Sequence, residues 1–95
     1  MSAYIILQIT VNDEAVYARY REEAPGTIKK FGGEYIVRGG DMELLEGEWN
    51  MPRCVVLRFP DMPSARAWYN SSDYQGPKAV RQAAAVSNAI LIEGI

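Results

Sequence analysis

The stretches Tyr4–Val11 (YIILQITV) and Arg53–Phe59 (RCVVLRF) decide the fold, because apolar side chains alternate along both. Side chains of a strand point to its two faces with a period of two. Each stretch therefore predicts a strand with one buried face, which in the first carries Ile5, Leu7 and Ile9. Both strands are expected to belong to one sheet.

A helix is predicted after the first strand. Its apolar stripe recurs at spacings of three and four, through Tyr17, Tyr20, Ala24, Ile28 and Phe31. Asn12 or Asp13 suits the N-cap of such a helix, and Gly32 ends it. Pro25 lacks a backbone N–H and disfavours helical geometry before it, so the sequence predicts a kink or a restart there.

The remaining elements follow from similar signals. Glu34–Arg38 is strand-like and ends at a glycine pair, whereas Asp61 is a natural N-cap for a second helix. Lys78–Ala85 favours helix, and Ala89–Glu93 predicts a last strand. The order β-α-β-β-α-β predicts an α+β, ferredoxin-like fold, in which both helices lie on one face of a four-stranded antiparallel sheet. A chain of 95 residues suits a single domain over residues 1–95.

The face of the sheet without helices is predicted to be largely apolar. Its members on the first strand and the Arg53–Phe59 strand are Tyr4, Ile6, Gln8, Cys54 and Val56. A surface of this kind needs a cover, and a second copy of the same face would provide one. The sequence thus predicts a homodimer, with the polar side chains Gln8, Thr10 and Arg58 lining a cavity between the subunits.

Composition excludes several classes of function. A net charge of -2 provides no electrostatic basis for binding nucleic acid or an anionic membrane. The absence of histidine excludes Ser-His-Asp chemistry, His-ligated zinc and a proximal-His haem. Cys54, the only cysteine, lies in an apolar run and is interpreted as structural. We expect no metal and no cofactor and, because the N-terminus lacks a signal peptide pattern, a cytoplasmic location.

Separated blocks of sequence resemble the family called domain of unknown function 1330. These are Phe31-Gly32-Gly33, Arg38-Gly39-Gly40, Leu45-Glu46-Gly47 with Trp49, Arg53 ahead of Val55-Val56, Phe59-Pro60, Ala65, Trp68-Tyr69, Ser71, Tyr74-Gln75 and Arg81. The resemblance implies a dimeric α+β barrel. Its superfamily includes cofactor-independent monooxygenases, muconolactone isomerases and haem enzymes, of which the histidine-dependent branches do not apply here. Arg58 stands where the family pattern leads us to expect an acidic residue.

Glu46 is the candidate catalytic base, because an apolar neighbour and a flexible glycine could hold its carboxylate at a cavity mouth. Two alternatives remain open. The acidic residues around Glu46 could form a solvated loop, or Glu46 could pair with Arg53 or Arg81 to hold the loop in place. Arg38, Arg53 and Arg81 are candidates for binding a substrate carboxylate or enolate, because a guanidinium is a planar, bidentate donor.

Aromatic and polar side chains near the second helix complete the candidate site. Tyr69 and Tyr74 could donate hydroxyls to a ligand as catalytic residues, and Trp68 could stack on a flat substrate, although its helical spacing also suits the core. Ser71 is a further candidate for binding substrate, or for capping the break between helices.

The sequence predicts a protein that binds or transforms a small organic acid or an aromatic carbonyl compound in the barrel cavity, as an isomerase or a cofactor-independent monooxygenase would. The alternative is a non-catalytic ligand-binding or structural homodimeric module. Whether the protein is an enzyme stays open at this level.

Overall fold

The computed structural model describes residues 1–95 and contains four strands and three helices. Their bounds are β1 Ala3–Val11, α1 Glu14–Lys30, β2 Glu34–Arg38, β3 Arg53–Phe59, α2 Met62–Asn70, α3 Ser72–Ala84 and β4 Ala85–Glu93. The predicted ferredoxin-like order is confirmed, with the second helix of the prediction divided into α2 and α3. The division falls at Ser71, which ends α2 and caps α3.

The sheet has the strand order β2-β3-β1-β4, and all neighbouring strands are antiparallel. β1 lies in the interior of the sheet, where Ile5 pairs with Leu57 of β3 on one side and with Leu91 of β4 on the other. β2 is the edge strand beside β3, and its register shifts between Tyr35 and Val37. This irregularity turns the edge strand locally relative to its neighbour.

The helices cover one face of the sheet and form the core with it. Ile5, Leu7 and Ile9 are buried there, as the alternation predicts. The predicted stripe of α1 is buried through Tyr17, Tyr20, Ala24 and Ile28, whereas Phe31 is only partly buried at the end of the helix. Both hydrophobic patterns are therefore confirmed, since the two elements pack against each other along them.

The last strand is longer than the sequence predicts. We expected helix up to Ala85 and strand only over Ala89–Glu93, but β4 begins at Ala85, directly after α3. This stretch pairs with β1 along its whole length, from Val11 opposite Ala85 to Ala3 opposite Glu93. Tertiary pairing thus overrides the weak helix preference of the alanine-rich run.

The face of the sheet without helices, called here the helix-free face, exposes many apolar side chains. Val86, Ile90 and Ile92 of β4 are all about half exposed, at 56%, 55% and 49%. Ile90 pairs with Ile6 of β1, and Ile92 pairs with Tyr4. The predicted apolar character of this face is confirmed, and it extends over β4 as well.

The β2–β3 connection, residues 39–52, lies beside the helix-free face. The Met51 sulfur there accepts a weak hydrogen bond from the Asn88 side chain of β4 at 3.9 Å. The connection exposes four large apolar side chains of its own: Met42, Leu44, Leu45 and Trp49. The helix-free face and this connection together form one extended apolar surface of the chain.

Candidate functional site

Glu46 is separated from the arginines that the sequence suggests as its partners. It lines an open concavity of about 640 Å³ beside the helix-free face, together with Val37 and Cys54. The ion pairs of the chain involve Arg19, Lys30 and Arg58, and none of them includes Glu46. The proposed pairing of Glu46 with Arg53 or Arg81 is thus not formed, and its role as a base stays a prediction.

Arg38 has a role in holding α1. Its Nη2 donates to the backbone oxygen of Arg21 at 3.0 Å. In a regular helix this oxygen would accept from the N–H four residues later, which Pro25 lacks. The predicted restart at Pro25 does not occur, because α1 runs unbroken over Glu14–Lys30. The guanidinium of Arg38 also lies over the Tyr35 ring, 4.4 Å from its centroid.

Arg53 lies partly buried between β3 and α1. Its guanidinium is 5.6 Å from the centroid of the Tyr17 ring, and its Nε is buried without a hydrogen-bond partner. Gly39, with a φ of 69°, leaves the space that this guanidinium occupies. A side chain at Gly39 would meet the guanidinium directly, and only glycine adopts this φ without strain. The turn after β2 is therefore built around Arg53.

Arg81 is the one charged residue in the core, with 3% of its surface exposed. Its Nη1 donates to the Ser87 hydroxyl, its Nε has no partner, and no carboxylate pairs with it. Burial opposes the charged form, but the oxygens of Tyr74 and Tyr20 outweigh it and the pKa of Arg81 is raised. The structure thus holds a positively charged guanidinium in the core beside Tyr20 and Tyr74.

Tyr20 and Tyr74 form a buried hydroxyl pair, with 2.7 Å between their oxygens. Burial is the main reason that the pKa of each is raised, so both hydroxyls stay protonated at neutral pH. Tyr74 is fully buried, and its ring centroid is 4.0 Å from that of Trp68. Tyr74 is thus placed behind Tyr20, and a ligand would meet Tyr20 first.

Trp68 and Ser71 serve the packing of the helices. Trp68 is fully buried, and its Nε1 donates to the Thr27 hydroxyl at 2.9 Å, so the structure favours the core interpretation of this residue. The Ser71 hydroxyl donates to the Trp68 backbone oxygen at 2.7 Å and accepts from the Tyr74 N–H at 3.2 Å. Tyr69 is half-buried, and the Lys78 ammonium lies 4.6 Å from its ring centroid.

A cleft between α1 and the sheet is lined by three arginines and three tyrosines. We call it the Arg–Tyr cleft and define it by Tyr17, Tyr20, Arg21, Tyr35, Arg38 and Arg53. Its interior is narrow, at about 10 Å³, which is room for a single oxygen-sized group. Arg81 does not line it but lies behind Tyr20, with its guanidinium 6.0 Å from that ring.

The Arg–Tyr cleft adjoins a wider opening of about 260 Å³, called here the mouth pocket. The two share Tyr17, Arg21 and Arg53. Glu14, in the first turn of α1, is the only carboxylate residue that lines the mouth pocket. The opening thus has two guanidinium groups on its inner side and one carboxylate at its rim.

Sequence reasoning placed Arg38 and Arg53 among the candidate residues and missed Tyr17, Tyr20, Arg21, Tyr35 and Glu14. Tyr17 and Tyr20 were assigned only to the apolar stripe of α1. The signal that could have found them is the choice of tyrosine over phenylalanine at buried positions, since each buried hydroxyl needs a polar partner. The position of Glu14 and Arg21 at the cleft depends on how α1 lies against the sheet.

Comparison with known proteins supports the resemblance that the sequence blocks indicate. The sequence profile of the family described as "Domain of unknown function (DUF1330)" matches residues 2–95. The chain belongs to this family. Among curated proteins, none matches the DUF1330 chain. The family's description assigns no function.

Solved structures share the fold of the DUF1330 chain at low sequence identity. A protein of unknown function from Rhodopseudomonas palustris is 16% identical, with a TM-score of 0.80 over 99% of this chain and 82% of that one. A dimeric ferredoxin-like protein of unknown function from Jannaschia sp. CCS1 is 12% identical, with a TM-score of 0.70 over 99% of this chain and 100% of that one. A cofactor-independent oxygenase from Streptomyces nogalater is 12% identical, with a TM-score of 0.67 over 99% of this chain and 93% of that one.

Two further observations concern partners of the DUF1330 chain. None of its helices combines the length and the apolar character that crossing a membrane requires. No three Cys, Asp or Glu side chains come together in a group that could hold a metal ion.

Proposed function

We propose that this DUF1330 protein is a homodimer that binds a small planar organic anion at the mouth of the Arg–Tyr cleft. The observation that carries the proposal is the convergence of three guanidinium groups, of Arg21, Arg38 and Arg53, on one cleft where none has a carboxylate partner. A chain with more acidic than basic residues has carboxylates available to pair them. Their concentration here favours a ligand that supplies the negative charge.

Arg53 is the group best placed to bind this anion. It lines both the cleft and the mouth pocket, and its buried Nε lacks an acceptor. A buried donor without a partner costs free energy, which a carboxylate oxygen would recover. Tyr17 is buried beside Arg53, and its ring centroid lies 5.6 Å from the guanidinium carbons of both Arg53 and Arg21, so this ring supports the two groups that would bind the anion.

Chemistry on the bound anion would use Glu14 as the base within this proposal. Glu14 lines the mouth pocket, whereas Glu46 lies beside the helix-free face. A carboxylate at the rim could remove a proton from a carbon next to the carbonyl group while the arginines stabilise the enolate. The protein from Streptomyces nogalater that shares this fold is a cofactor-independent oxygenase, so the fold accommodates catalysis without a cofactor in another protein.

The homodimer is supported by the helix-free face and by one relative. About half of the surface of Val86, Ile90 and Ile92 is exposed, and such apolar area is normally covered by a partner. The relative from Jannaschia sp. is described as dimeric. A second copy would cover the same face by two-fold symmetry, leaving the Arg–Tyr cleft on the opposite side of each sheet.

Benzoate and its neutral analogue benzamide test the proposed binding. We expect chemical-shift changes at Tyr17, Arg21 and Arg53 in NMR titrations with benzoate, and much weaker binding of benzamide. Arg53→Gln should weaken benzoate binding by about tenfold or more, since a hydrogen bond to a charged group is lost. The matched control is Arg66→Gln, which removes one positive charge from an exposed site on α2 outside the cleft.

Three results would contradict the proposal. The first is an absence of benzoate binding at millimolar concentration. The second is equal affinity of the Arg53→Gln and Arg66→Gln variants. The third is equal binding of benzoate and benzamide, which would show that the negative charge is not recognised.

A further inference from the structure

We infer that Tyr20 is the specificity-determining donor of the Arg–Tyr cleft, giving its hydroxyl proton to the one oxygen of the bound anion that enters the narrow interior. This inference rests on the proposed function and adds to it the depth and polarity of the binding site. Tyr20 belongs to the apolar stripe of α1, but its hydroxyl shares a hydrogen bond with that of Tyr74.

Two hydroxyl protons are available to the pair, but only one can lie between the oxygens 2.7 Å apart. The other must point elsewhere. No other side-chain hydrogen bond is formed by either hydroxyl in the hydrogen-bond network of the chain. Either tyrosine could donate to the other by distance alone, so the surroundings of each oxygen decide the direction.

The surroundings favour donation from Tyr74 to Tyr20. Tyr74 is fully buried and does not line the cleft, whereas Tyr20 does. If Tyr20 donated, the second proton of the pair would be that of Tyr74 and would remain in the core, where the nearby charged group, Arg81, has only donors to offer. That arrangement places a donor without an acceptor in the core. Tyr74 therefore donates to Tyr20.

Donation from Tyr74 leaves the Tyr20 proton without an acceptor in the protein. Tyr20 lines the narrow interior of the cleft, beside Arg53 and Tyr35, and is 6% exposed. Its proton can thus be satisfied only by a group that enters the cleft. The interior holds about 10 Å³, which admits one oxygen atom but not an aromatic ring.

The chemistry of the acceptor follows from these constraints. A hydroxyl that accepts a hydrogen bond becomes a stronger donor, so donation from Tyr74 polarises the Tyr20 hydroxyl and its proton favours an anionic oxygen. Burial raises the pKa of both tyrosines, so Tyr20 remains a donor and does not act as a base. A carboxylate, enolate or phenolate oxygen fits this position, with the rest of the ligand in the mouth pocket.

The test compares Tyr20→Phe with Tyr4→Phe in the same benzoate titration. Both variants remove one tyrosine hydroxyl, but Tyr4 lines neither the cleft nor the mouth pocket. We expect Tyr20→Phe to weaken benzoate binding about tenfold and Tyr4→Phe to leave it unchanged. Thermal unfolding of both variants shows whether each is folded.

The outcomes separate this inference from the proposed function. If Arg53→Gln weakens binding while Tyr20→Phe and Tyr4→Phe bind alike, the role of Tyr20 is overturned and anion binding stands. If benzoate does not bind the natural protein, the proposed function fails first. If Tyr20→Phe is unfolded, the test is instead the NMR resonance of the Tyr20 hydroxyl proton in the natural protein, followed during the benzoate titration. A Tyr20 hydroxyl resonance that shifts downfield with benzoate supports the inference, and one that does not move overturns it.

Discussion

The two faces of the sheet use the same strands in opposite ways. Leu7 on the helix side is 2% exposed, whereas Ile90 on the helix-free face is 55% exposed. The two tryptophans show the same difference, since Trp68 is fully buried among aromatic rings and Trp49 is 48% exposed on the β2–β3 connection. A single chain therefore completes the packing of one face only.

The two faces of the sheet also differ in the chemical character of their side chains. The helix side holds the guanidinium and phenol groups of the Arg–Tyr cleft, which can recognise a charged ligand. The helix-free face exposes mostly aliphatic side chains, whose burial provides non-directional stabilisation. The ligand and the second copy that we propose would therefore use opposite faces of the sheet.

The largest expected effect is the loss of stability when Trp68 is truncated. The same truncation at Trp49 provides the comparison. Trp68→Ala should lower the free energy of unfolding by about 3–5 kcal/mol, because it leaves a large cavity against Phe59 and Tyr74. Trp49→Ala should change it by less than about 0.5 kcal/mol. Urea unfolding followed by circular dichroism measures both. Similar losses in the two variants would show that the connection is packed as tightly as the core.

A charge on the helix-free face should separate the subunits. Ile90→Glu is expected to raise the dissociation constant of the dimer by about 100-fold or more, since it buries a charge in an apolar interface. The control Ala67→Glu adds the same charge at an exposed position of α2 and should leave the dimer intact. Sedimentation velocity over a concentration series measures both. A dimer that tolerates Ile90→Glu would place the interface elsewhere.

The glycine pair after β2 allows a matched comparison at the cleft. Gly39→Ala should lower the free energy of unfolding by about 1–2 kcal/mol. Gly39 has a positive φ, and the methyl group of an alanine there would meet the Arg53 guanidinium. Gly40→Ala should be nearly neutral, since no atom lies within 4 Å of the added carbon. Thermal unfolding checks stability, and the benzoate titration should show weaker binding only for Gly39→Ala. Equal effects of the two substitutions would contradict the role of Gly39 in positioning Arg53.

The smallest effect is expected in alkaline solution. Burial raises the pKa of Tyr20 and Tyr74 above that of an unfolded tyrosine, so the folded state holds these protons more tightly. Their contribution to stability is complete below about pH 10 and falls as the pH rises further, by about 1.4 kcal/mol per pH unit for each tyrosine. Tyr20→Phe should make this fall less steep. The free energy of unfolding of Tyr20→Phe and of the natural protein is measured between about pH 9 and pH 11. Equal slopes of the two curves would exclude a contribution of the Tyr20 proton.

Much of the fold is predictable from the sequence, because it depends on local hydrophobic periodicity and on residues that begin or end helices and strands. The alternation in β1 and β3, the stripe of α1 and the N-cap at Asp61 are all confirmed. The start of β4 and the course of α1 through Pro25 are not predictable in this way. Both depend on partners distant in sequence, the β1 ladder for Ala85 and the Arg38 guanidinium for the Arg21 carbonyl.

The candidate site shows the same limit. Arg38 and Arg53 are recognisable as candidates in the sequence, but Glu46 lies beside the other face of the sheet from the cleft that they line. Tyr20 resembles any other apolar position of α1 until its hydroxyl is seen beside that of Tyr74. Those two residues are 54 positions apart, and no local pattern connects them.

The sequence by itself determined the class of fold, the apolar character of both sheet faces and the exclusion of histidine-based chemistry, since these follow from residue types and their spacing. Only the tertiary structure decided which charged groups meet and which remain unpaired. The reason is physical: a strand repeats every two residues and a helix every 3.6, so spacing assigns a residue to a face. The neighbours across that face are chosen by how the elements pack, as Arg81 beneath the Tyr20–Tyr74 pair shows.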